Sequence, residues 1–442
     1  MNVSLFYRLA KEAGIEQFQI QVSQSKATTV DLFRGQIDSY KISDDFSIIA
    51  AGIYNGKFGM GTTSKRGKEG FSFLVSEIIR TATYNEKEGE ASLFEGSPKY
   101  KKGSFFNKEL AKVPMKEKID LLFSLEKSLL SASPYIVDTE GVGYSERETH
   151  SEFHNSHGVH LSQKRNYFVV YADAVGKKDE ETKSFGDYFA ESDYAKFEPK
   201  AFVDGIVEGL LGKFGGKPVK AKGYPTLLDR DVFAALLGYF LNACSADEVM
   251  RHSSFLEGKL GSEIASKKFS IEEAPLTKNV YFSYFDDEGH ATSNKKVVEK
   301  GRLLTYFHNR ETAKHFNVES TGNGAWAGGR IGVGFGFCRV KGGKKSKEEL
   351  IAHVKEGVYI TEIAGLGTGI NEASGDFSCQ AEGYLIENGK ITRPLNLITL
   401  SGNILGMLEG LQGIDNRAKQ IASISVGDAL IKKMNIGGLE SE

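Results

Sequence analysis

The sequence predicts an α+β protein built on large, mostly antiparallel sheets with flanking helices. Three observations lead there. Strand-prone runs are joined by the turn signals Asn55-Gly56, Lys300-Gly301 and Asn388-Gly389, so neighbouring strands pair as hairpins. Helix and strand signals alternate, yet hairpin pairing argues against a doubly wound parallel sheet. No segment recurs at the fixed period of ~20–50 residues expected of a solenoid or propeller.

Taken in order, residues 1–14 carry Leu5, Phe6, Leu9 and Ala10 on one helical face, with Gly14 as the stop. Phe18 to Val22 alternates with period two, and Val30 to Phe33 leads into the turn Arg34-Gly35. Ser47–Tyr54 and Lys57–Gly61 flank Asn55-Gly56, which accepts the positive φ of a type I′ turn. A second amphipathic helix is expected over Met115–Ala132, where Ile119, Leu122, Leu125, Leu129 and Leu130 share helical spacing before Pro134. Thr139 to Ala174 reads as meandering strands with a turn at Asn155–Gly158, and the charged Gly176–Ser184 reads as a solvated loop. Lys213–Pro218 has linker chemistry. It divides an N-terminal half, 1–215 with sub-units of about 1–90 and 110–215, from a C-terminal half, 222–442. Beyond it come a helix over Asp231–Cys244, a glycine-rich run from Gly322 to Gly336 and a Ser-capped helix from Ser346 to Gly357.

The 442 residues suffice for two or three domains of ~100–200 residues each. With 40% hydrophobic and 26% charged residues, the balance is that of a soluble globular protein. A formal net charge of −2 gives no electrostatic reason to expect DNA or anionic membrane binding. The N-terminal helix lacks the apolar core of a signal peptide, and no uncharged apolar run approaches the ~18 residues of a membrane span. Cys244, Cys338 and Cys379 are odd in number and show no CxxC spacing, which reads as buried free thiols in a reducing compartment. A cytoplasmic location is expected.

Several residue groups invite chemistry. His150, His154, His157 and His160 could be metal ligands or surface histidines of a hairpin; without a bulge, His150, His154 and His160 would share one face, with His157 in the turn. His308 and His315 fall on an expected helix roughly 10 Å apart at 1.5 Å rise per residue, too far for one metal, so exposed helix polar residues are the favoured reading. Gly365, Gly367 and Gly369, with Gly375 and Asp376 beyond, mimic a phosphate loop without the strand–turn–helix context that function needs. They read as glycines permitting positive φ or close backbone approach, or as a loop facing an extended peptide. Ser374, Ser378, Ser401 and Asn403 fit turn capping better than nucleophilic catalysis. Trp326, the one tryptophan, fits a partner interface or a core filler equally.

The last two hundred residues carry a series of blocks: Arg251–Ser266, Asp286–Gly289, Ser320–Gly324, Gly357–Gly369, Ser374–Ser378, Gly383–Pro394 and Ile398–Asn403. Their content and order resemble the TldD/PmbA family, once labelled modulators of DNA gyrase. The resemblance implies a heteromeric zinc metalloprotease acting on unstructured peptides, in which one paralogue carries His-Glu-x-x-x-His on a helix and a Cys near the C-terminus. In the corresponding helix of this chain, Ala234 and Ala235 stand at the positions of the first His and the Glu, and Tyr239 at that of the second His. No Cys follows Cys379, and Ser423 lies in the region of the third ligand. The chain thus resembles the PmbA (TldE) type. The implied role is a subunit without catalysis of its own, with no zinc in this chain and zinc expected in a TldD-like partner. The isolated chain could form a homodimer. The rival readings are a self-sufficient homo-oligomeric peptidase and a peptide-binding module of the same fold.

Overall fold

The computed structural model describes residues 2–86, 91–327 and 329–439, so Gly328 of the glycine-rich run lies outside the described residues. The N-terminal half opens with α1 (Ser4–Glu12) and the strands β1 (Gln17–Phe33), β2 (Gln36–Tyr54) and β3 (Lys57–Thr63). It continues through α2 (Gly67–Thr83), α3 (Met115–Ala132), β4 (Ile136–Asn155), β5 (His160–Lys178), β6 (Glu181–Glu191) and α4 (Pro199–Leu211). All six strands form one antiparallel sheet in the order β3-β2-β1-β4-β5-β6. One face of it is covered in two patches. α1 and α2 lie over Ile20, Val22 and Ile48, whereas α3 and α4 lie over Val30, Tyr144, Phe168 and Val170. Asn55 and Gly56 take φ of 51° and 71°, the positive pair that a tight hairpin turn requires.

The C-terminal half begins with β7 (Lys222–Leu228), α5 (Arg230–Ala243), α6 (Ala246–Met250), β8 (Ile271–Glu273), β9 (Lys295–Glu299) and β10 (Arg302–Leu303). Next come α7 (Arg310–Phe316), the hairpin β11 (Gly324–Ala327) and β12 (Arg330–Val333), β13 (Cys338–Val340) and α8 (Lys347–Ile351). The chain then runs through β14 (Glu356–Ala364), α9 (Leu366–Gly369), β15 (Ile370–Asn371), β16 (Asp376–Glu387), β17 (Lys390–Asn403) and α10 (Ile404–Glu409). It closes with β18 (Leu411–Ile414), β19 (Lys419–Ile421), β20 (Ile424–Val426) and β21 (Ala429–Gly437). β14 pairs with β7 on one side and β16 on the other, so the set β14-β7-β21-β17-β16 closes into a ring. A second, six-stranded sheet runs β10-β9-β8-β13-β20-β19. Pairing is antiparallel except at β7–β14 and β13–β20, so the α+β expectation with mostly antiparallel sheets holds. No helix among the described residues is long and apolar enough to cross a membrane, and Cys244, Cys338 and Cys379 are buried and free.

Four local expectations are corrected. The helix α2 was not anticipated, although Phe71, Leu74, Val75, Ile78 and Ala82 form its buried stripe; Gly67 and Gly70 in its first turn dilute the helical signal. Gly176–Ser184 is no open loop but a tight turn, with Asp179 at φ 53°, between β5 and the edge strand β6. The helix expected from Ser346 to Gly357 starts on its Ser346 capping box but ends at Ile351, because the chain from Glu356 is claimed by β14. His308 precedes α7, whose cap is Asn309, and is buried rather than an exposed helix residue. Burial lowers its imidazole to about 4, and its Nδ1 has no hydrogen-bond partner.

The two halves meet through the Asp286–Gly289 turn. Asp286 accepts from the amides of Gly324, Glu288 and His290 at 2.8–3.0 Å. Asp287 accepts from the Trp326 amide at 3.0 Å and from Gln21 Nε2 on β1 at 2.9 Å, while Trp326 Nε1 donates to Gln21 Oε1 at 2.8 Å. Trp326 is therefore a bolt between the halves, a role outside both of its sequence-level readings. Glu288 accepts from the Arg310 amide at 2.9 Å, and burial raises its carboxyl from the ordinary 4.5 to about 7. The folded state then holds a proton that the unfolded chain releases, so this contribution is complete below about 4.5 and is lost as pH rises through about 7. Unfolding free energy measured across that window should fall with pH, and Glu288→Gln should flatten the slope.

Candidate functional site

α5 is the organising element. Asp229 caps it, accepting from the Asp231 amide at 3.0 Å, and Tyr359 Oη of β14 donates to the other Asp229 oxygen at 2.6 Å. The fully buried Asp428 accepts from the Arg230 amide at 3.0 Å and lies 3.3 Å from Lys347 Nζ. Burial, with Asp229 as second cause, pushes the Asp428 carboxyl up. This network fixes the helix start against β14 and β21.

From there α5 runs between the ring and the six-stranded sheet, packing on β14, β19 and β20. Val232, Phe233, Ala234, Leu236, Leu237, Phe240 and Leu241 are buried. The open stripe is Asp231, Ala235, Gly238, Tyr239 and Asn242, positions that recur at helical spacing along one side. Ala235 and Tyr239 thus reach the surface, whereas Ala234 is only 4% exposed and belongs to the core. Ser423 sits in the β19–β20 turn, in the hairpin that packs on the same helix.

The glycine loop lies beside this stripe. The Tyr239 hydroxyl is 3.9 Å from where a side chain on Gly367 would begin. Gly365 and Gly375 have φ of 77° and 76°, and a side chain on Gly369 would strike the Ser378 carbonyl. Both sequence-level explanations for these glycines therefore apply, at different positions. Asp376 accepts from Ser374 Oγ at 2.7 Å and from Asn403 Nδ2 at 2.8 Å; Asn403 first and Ser374 second hold its carboxyl below the usual range. Asn403 Oδ1 caps α10, so these polar groups are engaged in turn architecture. Phe255, not singled out in the sequence, lies beside Gly375, its ring 3.1 Å from where a side chain on that glycine would begin. It stands in the Arg251–Ser266 block, but its aromatic ring alone gave no signal of that contact.

The donor set does not fit zinc. Alanine offers no lone pair at 234 or 235, and a phenol and an aliphatic hydroxyl at 239 and 423 are poor substitutes for imidazole and thiolate. Among the described residues no three His, Cys, Asp or Glu side chains cluster in a way that could hold a metal ion. The surface instead offers backbone groups and small residues around one phenol.

The histidines sit elsewhere. His154 and His160 are directly opposed across β4–β5 with rings stacked at 4.2 Å, and no register shift interrupts the hairpin between His150 and His160. His150 Nε2 lies 2.9 Å from Ser162 Oγ, and His157 Nε2 lies 3.5 Å from Gln17 Oε1 in the turn. Burial, then His160, keeps the His154 imidazole below its ordinary pKa.

Comparison with known proteins places this geometry. The profile of the PmbA/TldA metallopeptidase C-terminal domain matches residues 221–438, and that of the central domain matches 108–212. A metalloprotease PmbA homolog of Haemophilus influenzae is 23% identical over 440 residues, covering 99% of this chain and 95% of that protein. A metalloprotease of Methanothermobacter thermautotrophicus is 27% identical over 97% of this chain and 96% of that protein. Among solved structures, a Thermotoga maritima protein named as a modulator of a DNA gyrase superposes with TM-score 0.90 at 27% identity, covering 98% of this chain and 99% of that one. TldE from Thermococcus kodakarensis shares the fold, with TM-score 0.89 at 21% identity over 98% of both chains. Two domain profiles in sequence, relatives aligned along nearly their whole length and the shared fold together establish that this chain belongs to the PmbA/TldD metalloprotease family.

Proposed function

We propose that this chain is a PmbA/TldE-like subunit without chemistry of its own, which joins a TldD-like His-Glu-x-x-x-His paralogue in a zinc metalloprotease acting on unstructured peptides. One observation carries the reading: the open stripe of α5 presents Ala235 and Tyr239, with Ala234 sunk in the core, where a zinc peptidase needs donors and a base. Its contribution is the wall formed by that stripe and the Gly365–Asp376 loop, together with the stability of the assembly. Three buried free thiols favour a reducing, cytoplasmic setting.

The test is peptide cleavage by the purified chain, by the paralogue and by the two co-expressed. The expected result is zinc-dependent cleavage only when both are present, abolished by removing the paralogue's motif and unaffected by Tyr239→Phe. Cleavage by this chain alone, free of the paralogue, would overturn the proposal.

A further inference from the structure

β2 is open along much of its outer edge. Its inner side pairs with β1 from Gln36 to Tyr54, but β3 covers the other side only from Ile48 to Tyr54. Among the described residues nothing pairs with that outer edge between Gln36 and Ser47. Such an edge presents unpaired backbone donors and acceptors along its length.

The side chains are as unusual as the backbone. Tyr40 lies opposite Val30, and Ile42 lies two residues on, so both point to the face that carries the cores. Yet Tyr40 is 48% and Ile42 71% exposed, because this stretch falls between the patch under α1 and α2 and the patch under α3 and α4. Ile37, opposite the buried Leu32, is 46% exposed on the same face. The inward pattern of a covered strand is present, and the cover is missing.

From this edge we infer that the isolated chain forms a two-fold dimer by antiparallel pairing of β2 with β2 of a second copy, centred on Ser43. That register sets Tyr40 of each copy opposite Phe46 of the other, and Ile42 opposite Asp44, on the face that carries the cores. On the opposite face it sets Lys41 against Asp45, twice by symmetry. The paired run extends from Ser39 to Ser47 and stops where β3 begins to cover the strand at Ile48. Neighbouring registers are worse. A two-fold on Lys41 sets Asp38 against Asp44, a two-fold on Asp44 sets that carboxylate against itself, and a two-fold on Ile42 leaves Lys41 facing Ser43. Charges on an open edge ordinarily guard against pairing. Here they select one register and reject the others. The two six-stranded sheets become continuous across the joint.

Sedimentation velocity of the full chain over a concentration series tests this directly. The expected result is a reversible dimer, weakened about tenfold or more by Lys41→Asp, which sets two pairs of like charges face to face. The double exchange Lys41→Asp with Asp45→Lys should restore dimerisation, a recovery that a misfolded variant would not show. A chain that stays monomeric throughout, including one that adds an extended peptide at this edge, overturns the inference. So does a dimer indifferent to Lys41→Asp, or a loss that the double exchange does not recover.

Discussion

Restoring the zinc motif by Ala234→His, Ala235→Glu and Tyr239→His is expected to yield a protein that is less stable and still inactive. Ala234 is 4% exposed between the ring and the six-stranded sheet, among Phe233, Leu237 and Val232. An imidazole there overpacks the core at about 1–3 kcal/mol. Its buried ring nitrogens without partners add a further ~1–3 kcal/mol. Ala235 is exposed and Tyr239 is half-buried against the core, so the double exchange at those two positions should cost less than the triple. Urea unfolding of the double and triple variants isolates the Ala234 contribution. The triple variant should cleave no peptide with zinc added, because on the proposed reading only Ser423 lies in the region of the third ligand, and a hydroxyl is a poor zinc donor. Zinc-dependent cleavage by the triple variant alone would sink the proposed division of labour.

Asp428→Ala should be the most damaging single polar substitution around α5. The carboxylate is fully buried and serves the Arg230 amide, Lys347 Nζ and, at 3.4 Å, the Tyr359 hydroxyl. Removing it takes the partner from the half-buried Lys347 and Arg230 cations and from the first amide of the helix, at a cost of about 3 kcal/mol. Asp428→Asn keeps an oxygen for the Arg230 amide and loses only the charge, so it should cost clearly less. Denaturant unfolding ranks the two; equal losses would show that the ion pairs with Lys347 and Arg230, rather than the helix-start amide, carry the stabilisation. If the network also sets the tilt of α5, activity of the complete complex should fall with Asp428→Ala under conditions where the subunit remains folded.

What the sequence determined by itself was local. Asn55-Gly56, Lys300-Gly301 and Asn388-Gly389 act through backbone dihedrals of one or two residues, and each makes the expected turn. The helix over Met115–Ala132 follows from its apolar spacing, and the residues standing at 234, 235, 239 and 423 are a matter of identity that no fold can alter. Tertiary pairing decided the rest. The charged stretch at 176–184 became a hairpin because an edge strand tolerates Lys and Glu on its open side. His308 was buried because Asn309 starts α7 one residue later. Which side of α5 faces outward depends on two sheets assembled from segments far apart in the chain, as does the meeting of Tyr239 with the Gly367 loop. The open edge of β2 is equally invisible in sequence: its alternation reads as that of a covered strand, and only the short reach of β3 and the placement of the helices leave it bare. Turns and donor atoms are properties of neighbouring residues, whereas burial is a property of what packs against them, and in this chain the packing partners are distant in sequence.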